Sequence, residues 1–306
     1  MSLAPQILLR GVPALLLGLG AAFLFDRMCV VRGLQPPGFR VLWRRLLAGL
    51  ALACLLALGV FGPATLLGLG EKPQPDFAKI TTPQLFGFHV LMLATMGIWF
   101  LLGFFALRRQ QGMPAEPLGP PPIGPPRVPL GRQLLAQFGL LAPSVPREIG
   151  LGLVLGVGAW TVVLLALMGI GLALWALGCE SAVPKQPPAM VPFIAGLPIG
   201  VKVLVSLSAG VVEEGFFRGF LQPRIGIPLS TAFFALAHLS YGEPFMLIGI
   251  TLLSLIYAFL VQWRQTVWPA MAAHTFFDGV QLLVVVPAVL RFLQAGGKAV
   301  ASVGFF

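Results

Sequence analysis

The sequence predicts an all-α fold, a polytopic transmembrane helical bundle of about eight spans, and three observations predict it. Hydrophobic residues make up 58% of the 306 and charged residues only 10%, where a soluble domain carries roughly a quarter charged. Mean hydropathy is +0.93. Apolar runs long enough to cross a bilayer, about 20 residues each, recur along the chain with basic residues gathered between them. The net charge of +10 therefore follows the positive-inside pattern. It does not mark a nucleic-acid surface, and membrane lipids are the expected surroundings.

The first apolar segment, 5–25, reads as a membrane anchor. A cleaved signal peptide fits less well, because the run after Arg10 continues to Phe25 and Asp26-Arg27 follows without a small-x-small site. Spans at 46–68 and 84–107 complete an N-terminal three-span unit, 1–107. The loop 108–148 is the one long connection. Its core, Met113 to Pro129, is mostly Pro, Gly and small apolar residues and reads as an extended linker, and 131–145 reads as an amphipathic helix on the membrane surface. A five-span unit, 149–306, follows, with segments at 149–178, 191–220, 228–241, 244–262 and 266–290. Pro192, Pro198, Lys202 and a Glu pair interrupt 191–220, and 228–241 is short, so both suit helices enclosed by their neighbours.

The loops alternate in charge. Arg27, Arg32, Arg40, Arg44 and Arg45 crowd 26–45; Glu71 and Asp76 balance Lys72 and Lys79 in 69–83; Arg outnumbers Glu116 and Glu148 in 108–148; and Glu180 balances Lys185 in 179–190. Arg224, Glu243 and Arg264 continue the alternation, with Arg10, Arg291 and Lys298 as exceptions near the termini. This places the basic loops in the cytoplasm and both termini outside. Cys29, Cys54 and Cys179 lie far apart, with neither metal spacing nor a disulfide framework.

Acidic residues number ten and histidines three, yet Glu213, Glu214, His238, His274 and Asp278 all fall inside apolar segments. A charge at the bilayer centre costs at least about 2.5–3.5 kcal/mol, so such residues face a cavity and act there. At about 1.5 Å per residue, Glu213 lies about 13 Å from a helix end near Gln222, His238 about 15 Å from Pro228, and His274 about 12 Å beyond Thr266. Three helices thus deliver Glu, His and His to one depth. Glu214 and Arg218 stand at i, i+4 and form an ion pair, while Glu213, rotated about 100° away, is free to face the cavity as general base. Phe234 stands at i−4 to His238 and packs on its ring, and Asp278 at i+4 to His274 orients that imidazole.

A carboxylate and a histidine hold and deprotonate a water for attack on a carbonyl; a second histidine with a polar neighbour stabilises the oxyanion. Glu213, His238 and His274 also form a catalytic zinc ligand set, so a metal-bound water and a metal-free, Glu-activated water that needs no cofactor both stay open. Intramembrane Glu and His chains also serve transporters and proton relays, but those spread across the bilayer and accompany inverted repeats, whereas these cluster near one face. A non-catalytic scaffold or immunity protein is the other alternative. His89, alone in the third span, reads as a packed interhelical polar residue, and Tyr257, Trp263 and Trp268 as interfacial or core aromatics.

Glu213-Glu214-Gly-Phe-Phe-Arg218, then Phe234-x-x-x-His238, then His274-Thr-Phe-Phe-Asp278 resembles the CAAX protease and bacteriocin-processing (CPBP, or Abi) family, which includes the type II CAAX prenyl endopeptidases. The likeness covers about residues 195–285 in matching order and spacing, and Asp278 stands where the family has Asn or Asp. It implies an intramembrane endopeptidase whose conical cavity opens to the cytosol, with catalytic Glu213, His238 and His274. No His-Glu-x-x-His zinc protease motif, presenilin-type Gly-x-Gly-Asp or rhomboid-type Gly-x-Ser-Gly occurs. The Leu-, Ala-, Gly- and Arg-heavy composition points to a bacterial inner membrane. There a peptide pheromone, bacteriocin precursor or membrane protein is a better-suited substrate than a prenylated one. The sequence leaves the oligomeric state unset.

Overall fold

The computed structural model describes residues 3–69, 79–104, 129–179, 190–241 and 244–294. The Pro-rich core of the long loop lies outside them, apart from Pro129, as do Glu71, Lys72, Asp76, Glu116, Glu180, Lys185, Glu243 and Lys298. The chain is an integral membrane protein, all-α, with no strand among the described residues.

The N-terminal part runs through α1 (Leu3–Val31), a short 3-10 turn at Pro37–Arg40, α2 (Leu42–Leu56), a π-helical turn at Ala57–Phe61, α3 (Gly62–Gly68), α4 (Thr82–Leu85) and α5 (Gly87–Phe104). Then come α6 (Leu130–Gln137), α7 (Val145–Ala176), α8 (Met190–Ala195) and α9 (Ile199–Ser208). A π-helix, Ala209–Leu221, continues α9 and leads into α10 (Gln222–Ala237). The chain ends in α11 (Pro244–Arg264), α12 (Trp268–Val280), a π-helical turn at Gln281–Val285 and α13 (Val286–Gln294).

Among the described residues six helices are long and apolar enough to cross a membrane: Gly11–Val31, Leu42–Gly68, Gly87–Phe104, Val145–Ala176, Phe245–Arg264 and Trp268–Phe292. The other two expected spans differ for physical reasons. Pro198, in extended conformation (φ −56°, ψ 146°), starts a new helix at Ile199, and Lys202 Nζ closes the break by donating to the Ala195 carbonyl at 2.7 Å. From Ile199 to Leu221 the helix is unbroken, but Lys202, Glu213, Glu214 and Arg218 make it too polar for lipid, and nearly everything after Ala209 is buried. The segment 228–241 is not a full crossing either. Gly226, at φ 84°, kinks the chain before Pro228, and the helix stops at His238, only about 15 Å later.

Small residues let the helices close in. On α7, Gly152 and Gly156 lie directly against Pro269, Ala272 and Ala273 of α12, the small-residue packing that membrane helices use. Gly210 on the π-helix rests against Thr275 and the Met271 carbonyl of α12. A Cβ there would strike backbone, so Gly210→Ala is expected to cost about 1–3 kcal/mol, read as a lower melting temperature in detergent; an unshifted melt would contradict this close approach. Large apolar side chains such as Phe23, Leu58, Val154 and Leu177 point outward, as lipid-facing residues do.

One apolar core joins the N-terminal helices to the π-helix and α10. Phe25, Phe39, Met92 and Trp99 pack in the same cluster as Phe216, Phe220 and Phe234. Arg224, expected in a basic loop, is instead buried here. Its guanidinium lies 4.6 Å from the Phe220 ring and 5.7 Å from that of Trp99, and it donates to the Phe220 carbonyl and to Gln137 Oε1, both at 2.5 Å. The expected surface helix at 131–145 is helical only to Gln137. Beyond it, the Gly139 carbonyl accepts from Val267 N at 2.9 Å and Thr266 Oγ1 at 3.0 Å, and Trp268 Nε1 donates to the Leu140 carbonyl at 3.0 Å. The stretch is clipped to the turn between α11 and α12.

Candidate active site

The π-helix, the end of α10 and α12 carry their polar residues to one cavity of about 610 Å³, within the usual size of a ligand pocket. Glu213, His238, His274 and Asp278 line one part of it, and apolar side chains such as Leu167, Met168, Ile194 and Ile250 line much of the rest. Glu214 and Arg218 do not line it; both are fully buried behind it.

Glu213 turns its two carboxylate oxygens to different partners. Oε1 lies 3.1 Å from His89 Nε2. Oε2 has no hydrogen-bond partner among the described residues and stands 3.9 Å from His238 Nε2. His238 is fixed at the end of α10, where Nδ1 donates to the Phe234 carbonyl at 2.7 Å. A carbonyl only accepts, so the proton sits on Nδ1 and the neutral ring presents Nε2 as an acceptor. Phe234 also packs its ring on His238, centroids 4.5 Å apart, with the Arg218 guanidinium 4.6 Å from the same ring.

His274 stands between carboxylates. Nδ1 lies 2.9 Å from Glu214 Oε1 and Nε2 3.6 Å from Asp278 Oδ2. Glu214 Oε2 in turn lies 3.3 Å from Arg218 Nε, and Arg218 Nη2 donates to Ser254 Oγ at 3.2 Å. The i, i+4 ion pair is therefore also the back support of His274, a connection that spacing within one helix does not show. A long π-helix is rare, and such stretches concentrate at functional sites.

Two residues outside the sequence-derived set join the site. His89, from α5, touches Glu213; its only sequence signal was the rarity of histidine. Tyr257, from α11, stacks its ring on His274 at 5.4 Å and 26°, and its hydroxyl is buried without a hydrogen-bond partner among the described residues.

Among the described residues no three His, Cys, Asp or Glu side chains group as ligands. Glu213 Oε1 is engaged by His89, and His274 turns Nδ1 toward Glu214 and Nε2 toward Asp278.

With this geometry in view, residues 195–280 match the type II CAAX prenyl endopeptidase Rce1-like family. The likeness is to this one segment of the chain. The match takes in α9, the π-helix, α10, α11 and α12, including Glu213, Glu214, Arg218, His238, His274 and Asp278. The uncharacterized protein YpbD of Bacillus subtilis (strain 168) is 30% identical over 79 residues, 26% of this chain and 42% of that protein. The chain thus spans less than half the length of that relative. No solved structure matches the chain. The helices before the Rce1-like segment, α5 with His89 among them, lie outside the family match.

Proposed function

We propose that the chain is an intramembrane endopeptidase that hydrolyses peptide bonds of membrane-associated or lipidated, CAAX-like peptides, in a bacterial inner membrane with its site toward the cytoplasm. The observation that carries this reading is the free Glu213 Oε2 facing the acceptor Nε2 of His238 across 3.9 Å in a partly open, mostly apolar cavity. A water between them donates one hydrogen to each, which leaves a lone pair for the substrate carbonyl.

In the proposed reaction Glu213 Oε2 takes the water proton as the oxygen–carbon bond forms. Electron density moves to the carbonyl oxygen. An imidazole with a carboxylate at each nitrogen meets both partners as the imidazolium, and the positive charge of His274 stabilises the oxyanion. Glu214 with Arg218 behind it holds His274 from one side and Asp278 from the other. When the C–N bond breaks, Glu213 returns its proton to the leaving amine, and acid and amine products depart. No step uses a metal.

The test is cleavage by the full chain in liposomes presented with a library of membrane-anchored peptides, with new termini read by mass spectrometry. Wild type is expected to generate defined termini, and His238→Ala to slow them by about 10²–10³-fold. Identical products and rates from the two proteins would sink the hydrolase reading.

A further inference from the structure

We infer that His89 is a positioning residue for Glu213, so that the N-terminal helices complete the site that the Rce1-like segment begins. The inference rests on the hydrolytic reading above and adds a residue to it. A carboxylate only accepts hydrogen bonds, so His89 Nε2 carries the proton and donates it to Oε1 at 3.1 Å. His89 Nδ1 is buried with no hydrogen-bond partner among the described residues, so Glu213 is the ring's one hydrogen-bond partner among them. Both side chains are only 12% exposed. With Oε1 held, the carboxylate cannot swing, and Oε2 alone is presented toward His238.

The helix that brings His89 is not loosely attached. Met92, Thr95, Met96, Trp99 and Gly103 form the buried stripe of α5, and His89 continues that stripe three residues before Met92. Met92, Met96 and Trp99 share a core with Val212, Phe216 and Phe220 of the π-helix. Packing on either side of Glu213 therefore sets the position of the imidazole. This is how a site gains precision: the reacting group is locked by a neighbour whose own place is fixed by packing.

The experiment uses the full chain in liposomes and the peptide that wild type cleaves best. His89→Ala is expected to lower kcat about 10²-fold with KM within about twofold, because a misplaced base costs rate and not binding. His89→Gln, whose amide N–H reaches the same oxygen, is expected to recover most of that loss. Melting temperatures of His89→Ala, Glu213→Ala and the double variant are expected to be non-additive, as for residues in contact. If His89→Ala stays near wild type while Glu213→Gln abolishes cleavage, the positioning role is overturned and the hydrolase reading stands. A Gln variant as slow as Ala, or additive melting shifts, also overturns it. Cleavage that survives Glu213→Gln overturns both.

Discussion

Glu213→Gln is expected to lower kcat by about 10²–10⁴-fold, the usual contribution of a positioned general base, while leaving the protein folded. Gln keeps the shape and can still meet His89, but it cannot take a proton from water. The melting temperature should therefore hold within a few degrees, and substrate binding should persist. That combination makes the variant a trap: peptides retained by it and released as fragments by wild type identify the substrate class. Full activity in this variant would remove the carboxylate from the chemistry, and with it the proposed reaction.

Arg218→Met is expected to be the most damaging change to the fold, at about 3–5 kcal/mol, because it leaves Glu214 buried without its ion partner. Neither side chain of the pair is exposed to any measurable degree. The loss also reaches function, since Glu214 then holds His274 without a counter-charge behind it. Pairing Arg218→Met with Glu214→Leu should restore much of the stability, because replacing both partners of a buried pair by apolar groups is often near neutral. It should not restore cleavage, because His274 loses its carboxylate. Melting in detergent and cleavage in liposomes separate the two effects; a double variant as unstable as Arg218→Met alone would show that the pair is not the source of the cost.

The reach of the sequence follows from which residues are rare in a membrane. Glu213, Glu214, Arg218, His238, His274 and Asp278 stand out because each is costly in an apolar segment, and helical rise alone brings three of them to one depth. The structure places four of the six around one cavity and two behind it. What stayed hidden depends on partners distant in sequence. His89 is a single polar residue in an ordinary span, and nothing local says that it meets Glu213 across 124 positions. Arg224 looked like a loop charge because its cage comes from Trp99 and Gln137, far upstream. The span count differed because hydropathy measures a segment by itself. The helix Ile199–Leu221 is long enough to cross, but it is wrapped by neighbours and tolerates four charges. The π-helix has no periodic signature to read; its glycines hint only that other backbones approach.

The clip at Phe138–Leu140 has a mechanical side. Its carbonyls are tied to Thr266, Val267 and Trp268, and α12 begins there, about two turns before His274. Force on Gly139 and Leu140 is therefore delivered to the first turn of the helix that carries His274, one of three histidines lining the cavity. A molecule that gripped this stretch would be holding a lever with its short arm in the cavity wall.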